Sequence, residues 1–277
     1  MPAAPTLAAH GAHIPALGYG TSGLGQVRAE HVAAALQAGY RHIDTARKYG
    51  TERQVGEGMR ASGVPRQDIF LCTKVSHENL HAADFARSLD ESLAALGVDY
   101  VDLLLVHWPE KNTPLAETMG ALAKAKRQCL TRHIGVANFN IAMLDEAIRL
   151  CPEPLVTLQA ECHPYLDQKK MIAACRERGL VLTAYCPLAR GRLQGDPVLA
   201  EIARRTGKTF AQVALRWLVQ HGMIAAIPRS SNAERIGQNI DVFDFELSEE
   251  DMRRIAALAR PDGRIADPAG RAPAWDA

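Results

Sequence analysis

The chain has 277 residues, 47% of them hydrophobic and 23% charged, with a formal net charge of +1. That is enough apolar material for a large core, and acids and bases are interspersed, so no Lys/Arg block marks a nucleic-acid partner or a membrane surface. No apolar run approaches the roughly 18 residues that a membrane-spanning helix needs.

The start, Met1-Pro2-Ala3-Ala4-Pro5-Thr6, lacks a basic segment followed by an apolar one, which argues against a signal peptide. The six cysteines are scattered without a C-x-x-C pair, and most read as small buried hydrophobes. The expectation is a soluble, monomeric, cytoplasmic protein with no bound metal.

Leu7 to Gly20 sets turn residues Gly11, Pro15 and Gly18 between short apolar pieces, the pattern of a β-hairpin leading into a strand at Leu17–Gly20. Strand-like runs follow at Arg41–Asp44, Ile69–Val75, Tyr100–His107, Ile134–Val136, Leu155–Gln159, Val181–Ala184 and Ile224–Ile227. Helical spacing fills the intervals: Ala29–Ala38, Thr51–Ala61, Ala82–Leu96, Leu115–Arg127, Ile141–Leu150, Lys169–Glu177, Phe210–Val219 and Glu234–Ile240. Continuous apolar strands alternating with helices predict a parallel sheet covered on both faces. Eight such units without a Pro/Gly/Ser linker predict an α/β fold, a single (β/α)₈ TIM barrel domain over residues 1–277. An open doubly wound sheet is the alternative, but Gly18-x-Gly20 and Gly23-x-Gly25 lack the rest of a dinucleotide fingerprint. Asp196–Thr206 and Ser248–Ala259 stand outside the repeat as two extra helices, the second opened by a serine cap and three acids.

Four polar residues end or follow consecutive strands: Asp44, Tyr49 in the loop beyond it, Lys74 and His107. Singly, each has a plain reading: an Asp44–Lys74 structural ion pair, a loop phenol, a satisfied core histidine. Together on one rim they form a proton-delivery set. A phenol with a pKa near 10 exchanges protons poorly at neutral pH. A lysine ammonium beside it is expected to lower that value, Asp44 to hold the lysine charged, and His107 to orient a carbonyl oxygen. Such a site has no hydride of its own.

The stretch Gly39 to Gly56, Thr73-Lys74, Leu105-Val106-His107-Trp108-Pro109, Gly135-Val136-Ala137-Asn138-Phe139, Gln159-Ala160-Glu161-Cys162-His163-Pro164, Ala184-Tyr185-Cys186-Pro187-Leu188 and Ile227-Pro228-Arg229-Ser230 resembles, in order, the aldo-keto reductase family. The compact length and the ending Asp267-Pro268-Ala269-Gly270-x-x-Pro273-x-Trp275-Asp276 are most similar to its bacterial 2,5-diketo-D-gluconate and methylglyoxal reductases. The resemblance implies NADPH-dependent reduction of a small-molecule aldehyde or ketone, with Tyr49 as the acid, tuned by Lys74 and Asp44. It further implies that Asn138 and Gln159 bind the nicotinamide carboxamide and that Tyr185 stacks on the ring, with Gly20, Thr21 and Leu188 lining the cofactor. Arg229, Ser230 and Arg235 would hold the 2′-phosphate, with Gln238 and Asn239 near the adenine. Trp108, Trp275 and His107 would face the substrate.

The sequence departs from the family pattern at Ala137, Leu158, Ser76 and Lys48, which implies a wetter, more cationic pocket and looser nicotinamide binding. Lys48 either points to solvent or presents a second ammonium that would select an anionic ketone. Trp217, beside Leu215 and Leu218, reads as packing. Two other readings stay open at this level. One is a Schiff-base lyase or aldolase using Lys74, which borohydride trapping would reveal. The other is a non-catalytic NADPH-binding regulatory subunit, which would bind cofactor without turnover.

Overall fold

The computed structural model describes residues 4–23 and 27–276. Met1 to Ala3 of the N-terminal reading and Gly25 of the second glycine pair lie outside them. Strands β1 (Thr6–Ala9) and β2 (Ala12–Pro15) pair antiparallel. Their two-residue connection, His10-Gly11, has φ of 44° and 86°. Paired positive φ angles give a tight hairpin turn matched to strand twist.

Eight parallel strands follow: β3 (Gly18–Gly20), β4 (His42–Asp44), β5 (Phe70–Val75), β6 (Val101–Val106), β7 (Thr131–Ala137), β8 (Leu155–Glu161), β9 (Val181–Tyr185) and β10 (Ile224–Ala226). They pair in sequence order, and the sheet closes where Leu17 bridges Ala226 and Gly20 N–H donates to the Pro228 carbonyl. The open-sheet alternative is therefore excluded, and the architecture is a (β/α)₈ barrel. β7 begins earlier than the apolar run Ile134–Val136 suggested, because the polar residues Thr131-Arg132-His133 complete its ladder to β6.

Among the described residues ten α-helices surround the strands: α1 (Ala29–Gln37), α2 (Glu52–Ser62), α3 (Ala82–Leu96), α4 (Leu115–Arg127), α5 (Ile141–Leu150), α6 (Lys169–Glu177), α7 (Pro197–Thr206), α8 (Phe210–Val219), α9 (Ala233–Ile240) and α10 (Glu249–Ala256). The two supernumerary helices are α7 and α10, tied to each other by Arg205–Asp251 and Arg254–Glu201 ion pairs. α10 starts at the Ser248 cap but ends at Ala256, short of Ala259. Trp217 is packed as expected, with its indole N–H on the Met252 carbonyl.

The core has two layers. Between sheet and helices lies a large cluster including Val136, Leu158, Leu182 and Leu215. Inside the barrel, hairpin residues Ala9, Ala12 and Ile14 meet Leu103, Leu105, Val156 and Val181. The hairpin is thus a stopper in the N-terminal mouth. Leu158, expected to loosen the nicotinamide site, sits in the sheet–helix layer instead; strand alternation turns its side chain away from the barrel. No helix of the described residues is long and apolar enough to cross a membrane.

Candidate active site

Closure of the barrel brings the strand ends together at the C-terminal rim. Lys74, at the end of β5, has no exposed surface, and Asp44 ends β4 at 2% exposure. Lys74 Nζ donates to Asp44 Oδ1 at 2.6 Å and to the Thr45 carbonyl at 2.7 Å. A buried ammonium without such partners would lose its proton, since removing two charges from water costs several kcal/mol per ion, roughly. Burial does push the Lys74 pKa down, but Asp44 and then Tyr49 and Cys72 outweigh it, so the net shift is upward.

Tyr49 sits in a single 3₁₀ turn, Arg47–Tyr49, stopped by Gly50 at φ 66°. The turn lays the phenol against both partners. Lys74 Nζ is 5.2 Å from the Tyr49 ring centre, and the His107 ring meets it edge-on at 5.5 Å between centroids. The expected lowering of the Tyr49 pKa is corrected here: burial pushes it up to about 12, and the Lys74 charge offsets only part of that rise. The hydroxyl is crowded enough that desolvation wins.

His107 follows β6 and is anchored by its backbone N–H to the Val75 carbonyl at 3.0 Å. Its Nδ1 is buried without a hydrogen-bond partner among the described residues. Burial, reinforced by Lys74 and then Arg271, His77 and Lys48, holds its pKa well below 6.5. The imidazole is neutral at physiological pH.

The carboxamides expected around the cofactor are drawn into the same network. Gln159 Nε2 donates to Asp44 Oδ2 at 2.8 Å, so both carboxylate oxygens are engaged. Asn138 adopts φ 63°, which asparagine tolerates better than most residues. Its Nδ2 donates to the His107 carbonyl at 2.8 Å, and its Oδ1 accepts from the Tyr185 hydroxyl at 2.7 Å. The Thr21 hydroxyl donates to the Asp44 carbonyl at 3.0 Å. Ala137 is buried within the barrel-interior cluster.

The second half of the site is the segment after β10. A Cβ on Gly20 would lie 2.8 Å from the Ile227 carbonyl oxygen, so this close crossing requires glycine. The Tyr19 hydroxyl donates to the Ser230 carbonyl at 2.6 Å, and that of Tyr40 to the Ile236 carbonyl at 3.3 Å. These pins bring Arg229 beside Gly23, with its guanidinium 3.4 Å from where a Cβ would stand. Arg235 is exposed near the start of α9, where Asn232 Oδ1 accepts the Arg235 backbone N–H at 3.0 Å. Gln238 is half-buried and bonded to Glu234, whereas Asn239 is buried. Leu188 introduces a second rim turn, in which Cys186, Ala189 and Arg190 take φ of 50°, 47° and 51°.

On the substrate side, Trp108 and Trp275 meet edge-to-face at 6.2 Å. Lys48, expected either to face solvent or to present a second ammonium, is ion-paired with Glu78, which also accepts from Ser76. Glu78 is exposed; slight desolvation raises its carboxyl pKa, but the Lys48 and Ser76 hydrogen bonds outweigh that and bring it down to about 2. The two nonstandard positions therefore satisfy one carboxylate rather than each other's absence.

Sequence reasoning missed Glu161. It is 1% exposed and accepts His163 Nε2 at 2.8 Å and the Ile265 and Ala266 N–H groups at 2.7 Å each. It thereby anchors the C-terminal tail that carries Arg271 and Trp275. The available signal was an acid ending an otherwise apolar strand. A separate cleft of about 240 Å³, lined by Met59, Arg66, Leu96 and Tyr100, lies at the N-terminal ends of β5 and β6, away from these residues.

Comparisons with known proteins identify the family and the fold. The aldo/keto reductase family profile matches residues 16–260. The methylglyoxal reductase DkgB of Escherichia coli O157:H7 is 42% identical over 267 residues, 95% of this chain and 99% of that one. A glyoxal reductase of Bacillus subtilis strain 168 is 40% identical over 255 residues, covering 91% and 92% respectively. A crystal structure whose description names 2,5-diketo-D-gluconic acid reductase B superposes with a TM-score of 0.95 at 46% identity, over 99% of this chain and 98% of that one. The Bombyx mori aldo-keto reductase in complex with NADP superposes with a TM-score of 0.87 at 33% identity, over 94% of each chain.

Proposed function

The chain belongs to the aldo/keto reductase family and is an NADP(H)-dependent oxidoreductase, and from that premise we propose that it reduces small aldehydes and ketones with Tyr49 as proton donor. The observation that carries the reading is the buried Lys74–Asp44 pair at 2.6 Å with the Lys74 ammonium 5.2 Å from the Tyr49 ring. Bound NADPH supplies the hydride that reaches the carbonyl carbon.

The residues present suit that cofactor. Arg229, Arg235 and Ser230 form a donor set fitted to a dianionic 2′-phosphate, since guanidinium–phosphate contacts are charge-assisted and often bidentate. They lie at the last strand-to-helix junction, where barrels commonly bind phosphate. Asn138 and Gln159 offer carboxamides, Tyr185 a ring face, Gly20, Thr21 and Leu188 rim backbone and wall, and Gln238 with Asn239 the polar edge for an adenine.

Tyr49 gives its proton to the oxygen that becomes the alcohol. Its high pKa keeps the phenol protonated throughout the physiological range, so the donor is always loaded. Lys74 uses two of its three donors on Asp44 and Thr45, and the third is available to stabilise the phenolate left behind. Asp44 keeps that lysine charged. His107, neutral, donates a hydrogen bond that orients the carbonyl. Trp108 and Trp275 form the apolar wall.

The names of the relatives point to methylglyoxal, glyoxal and 2,5-diketo-D-gluconate as first candidates. A Schiff base on Lys74 has less support, because that chemistry needs a neutral amine and Lys74 is held charged. The test is NADPH oxidation with those three carbonyl compounds, with Tyr49→Phe as control. Turnover lost in the control supports the reading; wild-type turnover in it would remove Tyr49 as the donor.

A further inference from the structure

We infer that Arg271 is the receptor for a carboxylate carried by the substrate, which makes the enzyme favour short anionic carbonyl compounds over neutral ones of the same length. The inference rests on the reductase reading above and assigns the charge-selecting role to a residue distant in sequence from the acid and its partners.

The position of the guanidinium comes first. Its carbon lies 6.0 Å from the centre of the Trp108 ring, and Trp108 directly follows His107. Trp108 is nearly buried and carries Trp275 on its edge, so Arg271 caps one end of the aromatic wall. Its charge reaches both His107 and His77, contributing to the lowered pKa of each. A cation with that reach stands at the mouth of the reaction site.

Its state of pairing comes second. Among the described residues no carboxylate lies within ion-pair distance of Arg271, whereas the lysines nearest the site are both ion-paired. Lys74 is held by Asp44 and Lys48 by Glu78. Arg264 lies 4.0 Å from Glu161 and stacks on Trp275 at 3.8 Å. The carboxylates whose charge opposes Arg271 at His77 are Glu78, already satisfied by Lys48 and Ser76, and Glu110, which bonds the N–H groups of Lys111 and Asn112. A half-buried guanidinium on an aromatic face, with its fork unclaimed, is suited to a planar two-oxygen anion.

The support beneath it comes third. The Arg271 and Ala272 N–H groups turn back onto the Pro268 carbonyl at 3.2 and 3.0 Å. The Trp275 indole donates to Asp267 at 2.8 Å, Asn140 donates to the Ala274 carbonyl, and Asp276 accepts the Ile141 N–H, the latter two at 2.9 Å. With Glu161 holding Ile265 and Ala266, the tail is fixed on both sides of Arg271. The backbone is fixed, so little ordering remains to oppose binding.

The experiment compares succinic semialdehyde with butanal, which share a four-carbon chain and differ in the terminal carboxylate, for wild type, Arg271→Gln and Arg271→Lys. Arg271→Gln should raise KM for succinic semialdehyde by about tenfold with kcat unchanged, and shift butanal by less than about twofold. Arg271→Lys should recover part of the loss, and added salt should raise KM for the anionic aldehyde in wild type and Arg271→Lys but not in Arg271→Gln. Equal effects on both aldehydes, or none on either, would overturn the assignment. Should wild type reduce neither aldehyde, the reductase reading is judged separately by methylglyoxal turnover, and the anion site by succinate titration of the Trp108/Trp275 fluorescence. A response lost in Arg271→Gln supports the site; an identical titration overturns it.

Discussion

At the N-terminal mouth the barrel is filled by Ala9, Ala12 and Ile14 of the hairpin against Leu103, Val156 and Val181, whereas at the C-terminal mouth the strand ends carry Asp44, Lys74, Gln159 and Tyr185. Burial is similar at the two ends, but what it does is opposite. Apolar burial at the first end stabilises the fold at roughly 25 cal/mol per Å². Burial at the second shifts the proton affinities of Lys74 and Tyr49, and the Lys74–Asp44 pair contributes stability only while both partners are present. The polar exceptions near the first mouth are handled differently again. Asp102 is satisfied by Arg66, Arg132 and the Leu71 N–H, while the fully buried His42 packs edge-on against Phe70.

This contrast predicts that substitutions at the two mouths separate activity from stability. The largest effect is expected for Tyr49→Phe, which should cut kcat by about 10²–10⁴-fold with the thermal midpoint barely moved. A large loss of stability instead would make the phenol a structural group. Lys74→Met should harm both properties, because it leaves Asp44 buried and unpaired at a cost of about 3–5 kcal/mol. Urea unfolding measures it, and a stabilised variant would mean the rim behaves like the apolar end.

Ile14→Ala tests the opposite mouth. Removing a fully buried side chain from the stopper should cost about 2–5 kcal/mol, with kcat and KM of the folded enzyme unchanged. Altered kinetics would show that the hairpin communicates with the rim. The smallest expected effect concerns acid sensitivity. Burial holds His42 below its ordinary value of 6.5, so the unfolded chain takes up this proton first. Its stabilising contribution is present above pH 6.5 and declines as pH falls below it. His42→Leu should flatten that decline in part, since His107, His133 and His221 are depressed as well. An unchanged slope between pH 7 and 5, about the range where histidine titrates, would exclude His42 as a contributor.

Much of the fold was legible because barrel units announce themselves locally. The apolar runs fell on the strands, and helix bounds such as Ala82–Leu96 and Leu115–Arg127 follow from spacing and end signals. Thr131-Arg132-His133 was not legible as strand, since its pairing with β6, not its own pattern, makes it one. The rim residues Asp44, Lys74 and His107 were visible as polar groups interrupting apolar strands. Glu161 carried the same signal, but its partners Ile265 and Ala266 lie more than a hundred positions away.

Sequence by itself determined the alternation of strands and helices, the family and the chemical types gathered on one rim, because periodicity and motif order are local properties. Only the tertiary structure decided how those groups are spent. It paired Lys48 with Glu78, gave Gln159 to Asp44, and brought Arg271 from the far end of the chain onto Trp108. It also raised the Tyr49 pKa where the neighbouring lysine alone argued for a fall. The reason is physical: proton affinity and charge pairing depend on everything that surrounds a side chain after closure, and desolvation has no signature in sequence order.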